Sequence, residues 1–154
     1  MPDDFELRPL QAGDYAAIAR IAAATPGFTV PTEYTVWMFA SNHGDLCRVA
    51  VANTGDVIGY TLAMMTSQHN VAFSWQTAVV PSHRARHVAV SLLANIAIFA
   101  RANGVTFARF TCTAERLETM TSLVAAAKLG KIIETTPVPT AWGIDEIEIC
   151  LKIQ

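Results

Sequence analysis

Residues 81–90, Pro-Ser-His-Arg-Ala-Arg-His-Val-Ala-Val, set two arginines and two histidines where an apolar run ends and a helical pattern begins. The start of a helix carries partial positive charge and unpaired backbone N–H groups, so each cation there is disfavoured by roughly 0.3–1 kcal/mol. A bound anion such as phosphate reverses that sign. The surroundings agree: from Val57 to Ala114 there is no Asp or Glu, while Arg84, Arg86, Arg101 and Arg109 all fall inside that span of a chain whose formal net charge is -2. Two readings stand, an anion site or a solvated basic turn.

Other constellations lack their complements. His83 and His87 are four apart, as two metal ligands on one helix face can be, but no nearby Cys, Asp or Glu completes a set and two arginines intervene. No metal site is expected. No G-x-S-x-G elbow, P-loop or G-x-G-x-x-G occurs, so the signatures of those hydrolases, nucleotide triphosphatases and dinucleotide-binding proteins are missing. Four arginines in an acidic chain are too narrow a basic surface for nucleic acid, which is not an expected partner.

Periodicity supplies the elements that must hold the basic segment. Phe5 to Arg8 predicts a first strand, and Gly13-Asp14 opens a helix that ends before Pro26. Pro31-Thr32 gives an N-cap-like start to a second helix through Tyr34, Trp37, Met38 and Asn42. Leu46 to Ala52, Val57 to Met65 and Val71 to Val80 are β-rich runs separated by two turn signals, which predicts an antiparallel meander. Val88, Leu92, Leu93, Ile96 and Phe99 recur at helical spacing until Asn103-Gly104, and Val105 to Cys112 follows as a strand. The basic segment therefore opens the helix of a strand–helix–strand unit. Glu115 to Leu129 predicts a last helix closed by Gly130, and Lys131 to Thr135 and Glu146 to Ile153 predict two final strands. Pro137 and Pro139 confine their connection to a loop or sheet edge. The fold class is α/β, layered, with a mixed central sheet of about seven strands flanked by about four helices.

Composition sets the frame. A chain of 154 residues fits a single domain, and 52% hydrophobic residues with 16% charged ones describe a well-filled core that leaves room for a homodimer face. Cys47, Cys112 and Cys150 are odd in number, widely spaced and without a C-x-x-C, which predicts free thiols in a reducing, cytoplasmic setting. The start Met-Pro-Asp-Asp-Phe-Glu has no apolar core of a signal peptide. The apolar stretch Val88 to Ala100 is too short to cross a bilayer and predicts a buried helix, so no membrane partner is expected.

With Val79-Val80-Pro81 followed by Arg84-Ala85-Arg86-His87-Val88-Ala89, and with this order of elements over nearly the whole chain, the sequence resembles the GNAT superfamily of acyl-CoA-dependent N-acetyltransferases. More narrowly, Tyr34, Cys47-Arg48-Val49-Ala50, Asp56-Val57-Ile58-Gly59-Tyr60 and above all Phe73-Ser74-Trp75-Gln76-Thr77-Ala78-Val79 look like the diaminobutyrate acetyltransferases of ectoine biosynthesis. The resemblance implies acetyl-CoA as cofactor, its diphosphate cradled by Arg84, Ala85, Arg86, His87, Val88 and Ala89, with Ala78, Val79 and Val80 along its arm and Arg116 near it. It implies an amino-acid pocket formed by Tyr34, Trp75 and Gln76. His87 stands where the superfamily usually has glycine, and Ala114 to Thr119 replaces its Pro-x-Asn-x-x-Ser segment.

Acetyl transfer to an amine needs the thioester positioned, its oxygen stabilised and the amine deprotonated, and it needs no metal. A gap between the strand ending at Val80 and the strand starting near Thr106 would position the donor, with the N–H of Val79 or a neighbour polarising the carbonyl. For proton transfer the candidates are Glu33, which can equally be an exposed helix-start carboxylate, and Ser122. Trp75 and Gln76 alternate along a strand, which predicts one in the core and one toward the cleft. Two functions remain open: an acetyltransferase for a small primary amine, an amino acid or diamino acid, reacting by direct attack in a ternary complex, and a catalytically silent domain of the same fold that binds an acyl-CoA or a protein partner.

Overall fold

The computed structural model describes residues 5–82, 85–138 and 146–154. A short strand β1 (Phe5–Pro9) leads through a 3-10 turn at Ala12–Asp14 into α1 (Tyr15–Ala23), and α2 (Glu33–Asn42) follows. Asp14 anchors that entry: its carboxylate accepts two bonds from the Arg8 guanidinium, at 2.8 and 2.9 Å, and one from the Gln11 N–H at 2.9 Å. Thr32 caps α2 by accepting the Thr35 N–H at 3.1 Å.

Strands β2 (Arg48–Ala52), β3 (Val57–Met65) and β4 (Val71–Val79) form the expected meander, antiparallel to one another. After β4 come α3 (Ala85–Ala102) and β5 (Phe107–Thr113), then α4 (Leu117–Ala126), β6 (Gly130–Val138) and β7 (Glu146–Ile153). The seven strands form one sheet in the order β1-β2-β3-β4-β5-β7-β6. Among the described residues only β4 and β5 pair in parallel, as a strand–helix–strand connection requires.

Each face of the sheet has its own core. On one side Ile18, Ile21 and Ala22 of α1 and Val36 and Phe39 of α2 pack on Val49, Tyr60, Leu62 and Ala78. On the other, Leu93, Ile96 and Ala97 of α3 and Leu123 and Val124 of α4 pack on Ala63, Ala108, Phe110, Ile149 and Leu151. By length and composition alone α3 could cross a membrane. In the fold it lies on the sheet, with Val88, Leu92, Leu93, Ile96, Ala97 and Ala100 buried.

The last third departs from the expected boundaries. Instead of one helix running to Leu129, a 3-10 turn (Ala114–Arg116) precedes α4, and Lys128 takes the left-handed conformation, φ 52°, that ends it. Leu129, fully buried, is thereby turned into the core. Gly130 is a strand residue and no helix cap: its Cα lies so close to β7 that a Cβ would collide with the Lys152 carbonyl. Strand β6 continues through Pro137, and β6 is an edge strand, the place in a sheet where proline is tolerated. Pro139 lies outside the described residues.

Candidate active site

Strands β4 and β5 pair only from Val71 to Ser74 against Phe107 to Phe110, and beyond that they part. The gap expected between these two strands therefore lies along their C-terminal halves. A bulge in β4 accompanies it. Leu62 faces Gln76 while the next residue, Ala63, faces Ser74, so Trp75 is the extra residue in the β3–β4 ladder. A bulge bends its strand and increases twist, which carries the end of β4 away from β5.

The bulge also decides where two side chains go. Trp75 and Gln76 do not alternate: Trp75 stacks on Phe39, with centroids 5.8 Å apart and planes 11° apart, and Gln76 bonds to Tyr60, so both lie on the face covered by α1 and α2. Gln76 is buried and both ends of its amide are engaged. Its Oε1 accepts the Tyr60 hydroxyl at 2.8 Å and its Nε2 donates to the Thr29 carbonyl at 2.7 Å. Burial pushes the Tyr60 hydroxyl far above its ordinary pKa, so it remains a donor.

Two cavities open along the separation. The first, about 310 Å³, is walled by Gly27, Phe28 and Thr29 of the α1–α2 loop, by β4 from Phe73 to Thr77, by β5 from Phe110 to Thr113, and by Arg116, Met120 and Glu146. Gly27 has φ +80°, a conformation that favours glycine, and its Cα faces Thr113 at the rim. The second, about 280 Å³, lies between the end of β4, the start of α3 and α4, with Ala78, Val79, Ala85, Arg86, Ala89 and Thr119 among its walls. Thr77, Arg116 and Met120 border both.

The second cavity suits an anion on an extended arm. Among the described residues no acidic one lines it, Arg86 and Arg116 bring positive charge, and the first turn of α3 adds the N–H groups of a helix start. Val80 donates its N–H to Ile58 at 2.9 Å, so the ladder's alternation turns the N–H and C=O of Val79 and Thr77 away from β3, toward the gap. By the same rule Ala78 and Val80 direct their backbone groups to β3. These features fit coenzyme A: cations and N–H groups for a diphosphate, a bare strand edge for an amide-bearing arm.

The remaining candidates fall in three groups. Ala85, Arg86 and Ala89 line the second cavity, Val88 is buried against the sheet, and Arg84 and His83 lie outside the described residues. The His87 ring is turned toward β1, edge-on to Phe5 at 5.5 Å, and is not part of the cavity wall. Ser122 accepts a bond from Arg86 at 3.0 Å on the exposed side of α4, outside both cavities. Glu33 and Tyr34 are exposed at the start of α2 and line neither cavity; Tyr34, 71% exposed, packs beside Trp37. Arg101 is distant, tying α3 to the carbonyls of Lys128 and Gln154.

Sequence reasoning missed two residues of the first cavity. Cys112, read only as one of three cysteines, is buried in the wall of that cavity; all three thiols are free. Burial pushes the Cys112 thiol up, Arg116 pulls it down and Glu146 adds a smaller upward push. Glu146, read only as the start of a strand, lines the same cavity opposite Thr113. No spacing signal joins it to Arg116, thirty residues earlier. Among the described residues no group of three or more His, Cys, Asp or Glu is placed to hold a metal ion.

A mixed sheet parted beside a cationic helix start is the architecture of an acyl-CoA-dependent acyltransferase. The model of the acetyltransferase (GNAT) family matches residues 14–125, and the chain belongs to that family; acetyl-CoA is the family's acetyl donor. No curated protein sequence matches the chain. Among solved structures it is similar to Ard1 from Thermoplasma volcanium, at 14% identity over 99% of each chain and a TM-score of 0.81. It is also similar to the diaminobutyrate acetyltransferase EctA from Paenibacillus lautus, in complex with its substrate L-2,4-diaminobutyric acid and coenzyme A. There the identity is 20%, the coverage 99% of this chain and 96% of that one, and the TM-score 0.78. Arabidopsis thaliana Naa50, in complex with the bisubstrate analogue CoA-Ac-MVNAL, shares 10% identity over 98% and 100% of the two chains with a TM-score of 0.76. At these identities the likeness is one of fold.

Proposed function

We propose that this chain transfers an acetyl group from acetyl-CoA to the primary amine of a small molecule, an amino acid or diamino acid, by direct attack in a ternary complex. One observation carries the reading: two cavities meet at Thr77, Arg116 and Met120, one built for an anionic donor and the other for a compact acceptor. At about 310 Å³ the first is at the small end of ligand pockets, which supports a molecule of amino-acid size over a long peptide. When bound, acetyl-CoA supplies an activated acyl carbon.

The chain's own residues do the rest. Arg86 and Arg116 neutralise the donor's negative charge, and the Val79 N–H stands at the edge where a carbonyl oxygen can be polarised. Gln76 holds the α1–α2 loop over the acceptor through Thr29, and Trp75 forms part of the wall. The diaminobutyrate-like Trp75-Gln76 pair supports a diamino acid as one member of the acceptor class. Free thiols support a cytoplasmic setting, and the exposed rings of Tyr34 and Trp37 are apolar surface that a homodimer would bury.

Calorimetric titration with acetyl-CoA followed by a thiol-release assay tests the reading. The amines are L-2,4-diaminobutyric acid, L-lysine, propylamine and a pentapeptide with a free N-terminus. Donor binding with turnover of a small amine is expected. Binding with no turnover of any amine would assign a catalytically silent domain, and turnover of the peptide alone would move the acceptor to protein N-termini.

A further inference from the structure

Resting on that reading, we propose that Glu146 receives the proton of the acceptor ammonium, and that the acceptor therefore binds as a cation with its charged end at the start of β7. Among the described residues Glu146 is the only carboxylate lining either cavity. It sits at the start of β7, paired in register with Thr113 at the end of β5, the part of β5 that no longer pairs with β4. Among the described residues neither cavity has another candidate: β4 carries no Asp or Glu, and Glu33 is exposed at the start of α2.

Among the described residues the charged and titratable groups around Glu146 are few. Arg116, from the turn before α4, lines the same cavity, and no ion pair within 4.0 Å joins the two among the described residues. Cys112, on β5, is near enough for Glu146 to raise its thiol, which places the carboxylate beside the cavity wall. Glu148, two residues along β7, lies 3.9 Å from Arg109. On β6 the partners of Glu146 and Glu148 are Val138 and Thr136, which carry no charge. Among the described residues Glu146 is thus the anion available to an ammonium group in this cavity, with walls of Phe28, Phe73, Trp75 and Met120 to exclude water around it.

The reaction balances as follows. The ammonium nitrogen gives one proton to the Glu146 carboxylate and forms the amide bond to the acetyl carbon as the carbon–sulfur bond breaks. A second proton of the nitrogen leaves with the thiol, and the carboxyl returns its proton to solvent. General-base assistance of this kind contributes about 10²–10⁴-fold.

The test is Glu146→Gln, which keeps shape and removes the acceptor, beside Glu146→Asp, which keeps the carboxylate one methylene back. Acetyl-CoA affinity measured by calorimetry should stay within about threefold of wild type in both, since Glu146 does not line the donor cavity. For the best amine of the panel, kcat/KM of E146Q at pH 7 should fall about 100-fold, with E146D recovering most of the loss. A lysine-like amine, pKa about 10.4, is free at roughly one part in a few thousand at pH 7 and about a third at pH 10, so the deficit should shrink toward pH 10. A merely structural role would give the same deficit at both pH values.

A deficit below about threefold at pH 7, or one unchanged at pH 10, overturns the inference while leaving acetyltransfer intact. Wild-type protein that binds acetyl-CoA and turns over none of the amines overturns the functional reading and this inference together. If E146Q loses acetyl-CoA binding, the decision passes to E146D, whose activity must remain well above background for the inference to stand.

Discussion

Gln76→Met removes the amide that joins three elements while keeping the length and volume of the side chain. In the wild type the Tyr60 hydroxyl, on a side chain with no exposed surface, has Gln76 as its acceptor, and the exposed Thr29 backbone receives the other end. Water can reach the Thr29 carbonyl once it is released, so the main loss is the buried hydroxyl, about 1–3 kcal/mol. For a chain of this size each kcal/mol moves Tm by about 2–4 °C, and a central loss of about 2 kcal/mol gives a fall of about 4–8 °C. The second variant, Tyr60→Phe, decides whether this reasoning is right. If the orphaned hydroxyl is the cause, adding Tyr60→Phe to Gln76→Met costs little more, and the pair couples by about 1 kcal/mol or more in a double-mutant cycle read by thermal and urea melts. Function should follow the loop: KM for the amine rises while acetyl-CoA affinity holds. Additivity within about 0.3 kcal/mol, or an unchanged Tm, would refute the argument.

Three further outcomes are expected. Gly130→Ala forces a Cβ into the Lys152 carbonyl, so β6 and β7 must separate locally; the cost is about 2 kcal/mol, visible as a lower urea midpoint, and an unaltered midpoint would contradict the close approach. His87→Gly should leave acetyl-CoA affinity within about threefold and lower Tm slightly, by the roughly 1 kcal/mol of a helical glycine, because the ring packs on Phe5 and not in the donor cavity. A tenfold loss of affinity would show that the imidazole holds the ligand. Burial lowers the pKa of His43 from its ordinary 6.5, so the unfolded chain takes up the proton more readily. Its contribution is full above about pH 6.5 and is lost as the pH falls toward the depressed value. The Tm difference between wild type and His43→Gln should therefore shift against wild type between pH 7.5 and 5, and parallel curves would refute it.

Much of the scaffold was legible because apolar spacing reports a buried face. The meander from Arg48 to Val79, the helix after the basic segment and the parallel return to β5 all follow from period-two and helical patterns with turn residues between them. The boundary at Gly130 was misread because glycine near a helix end signals a cap, while here it serves a contact between strands that only packing creates. The alternation expected for Trp75 and Gln76 failed for a related reason. A bulge shifts one residue of β4 against β3, and a single strand's sequence does not record its partner's register.

By itself, the sequence determined the layered α/β class, the element order and the acid-free basic stretch at the start of α3, since propensity, periodicity and charge are local properties of the chain. The tertiary structure alone decided that Gln76 ties the α1–α2 loop to the core, that the His87 ring turns toward β1, and that Glu146 joins Arg116 and Cys112 around one cavity. Those residues lie tens of positions apart, and their meeting depends on where β4 parts from β5, a consequence of register and twist summed across the whole sheet.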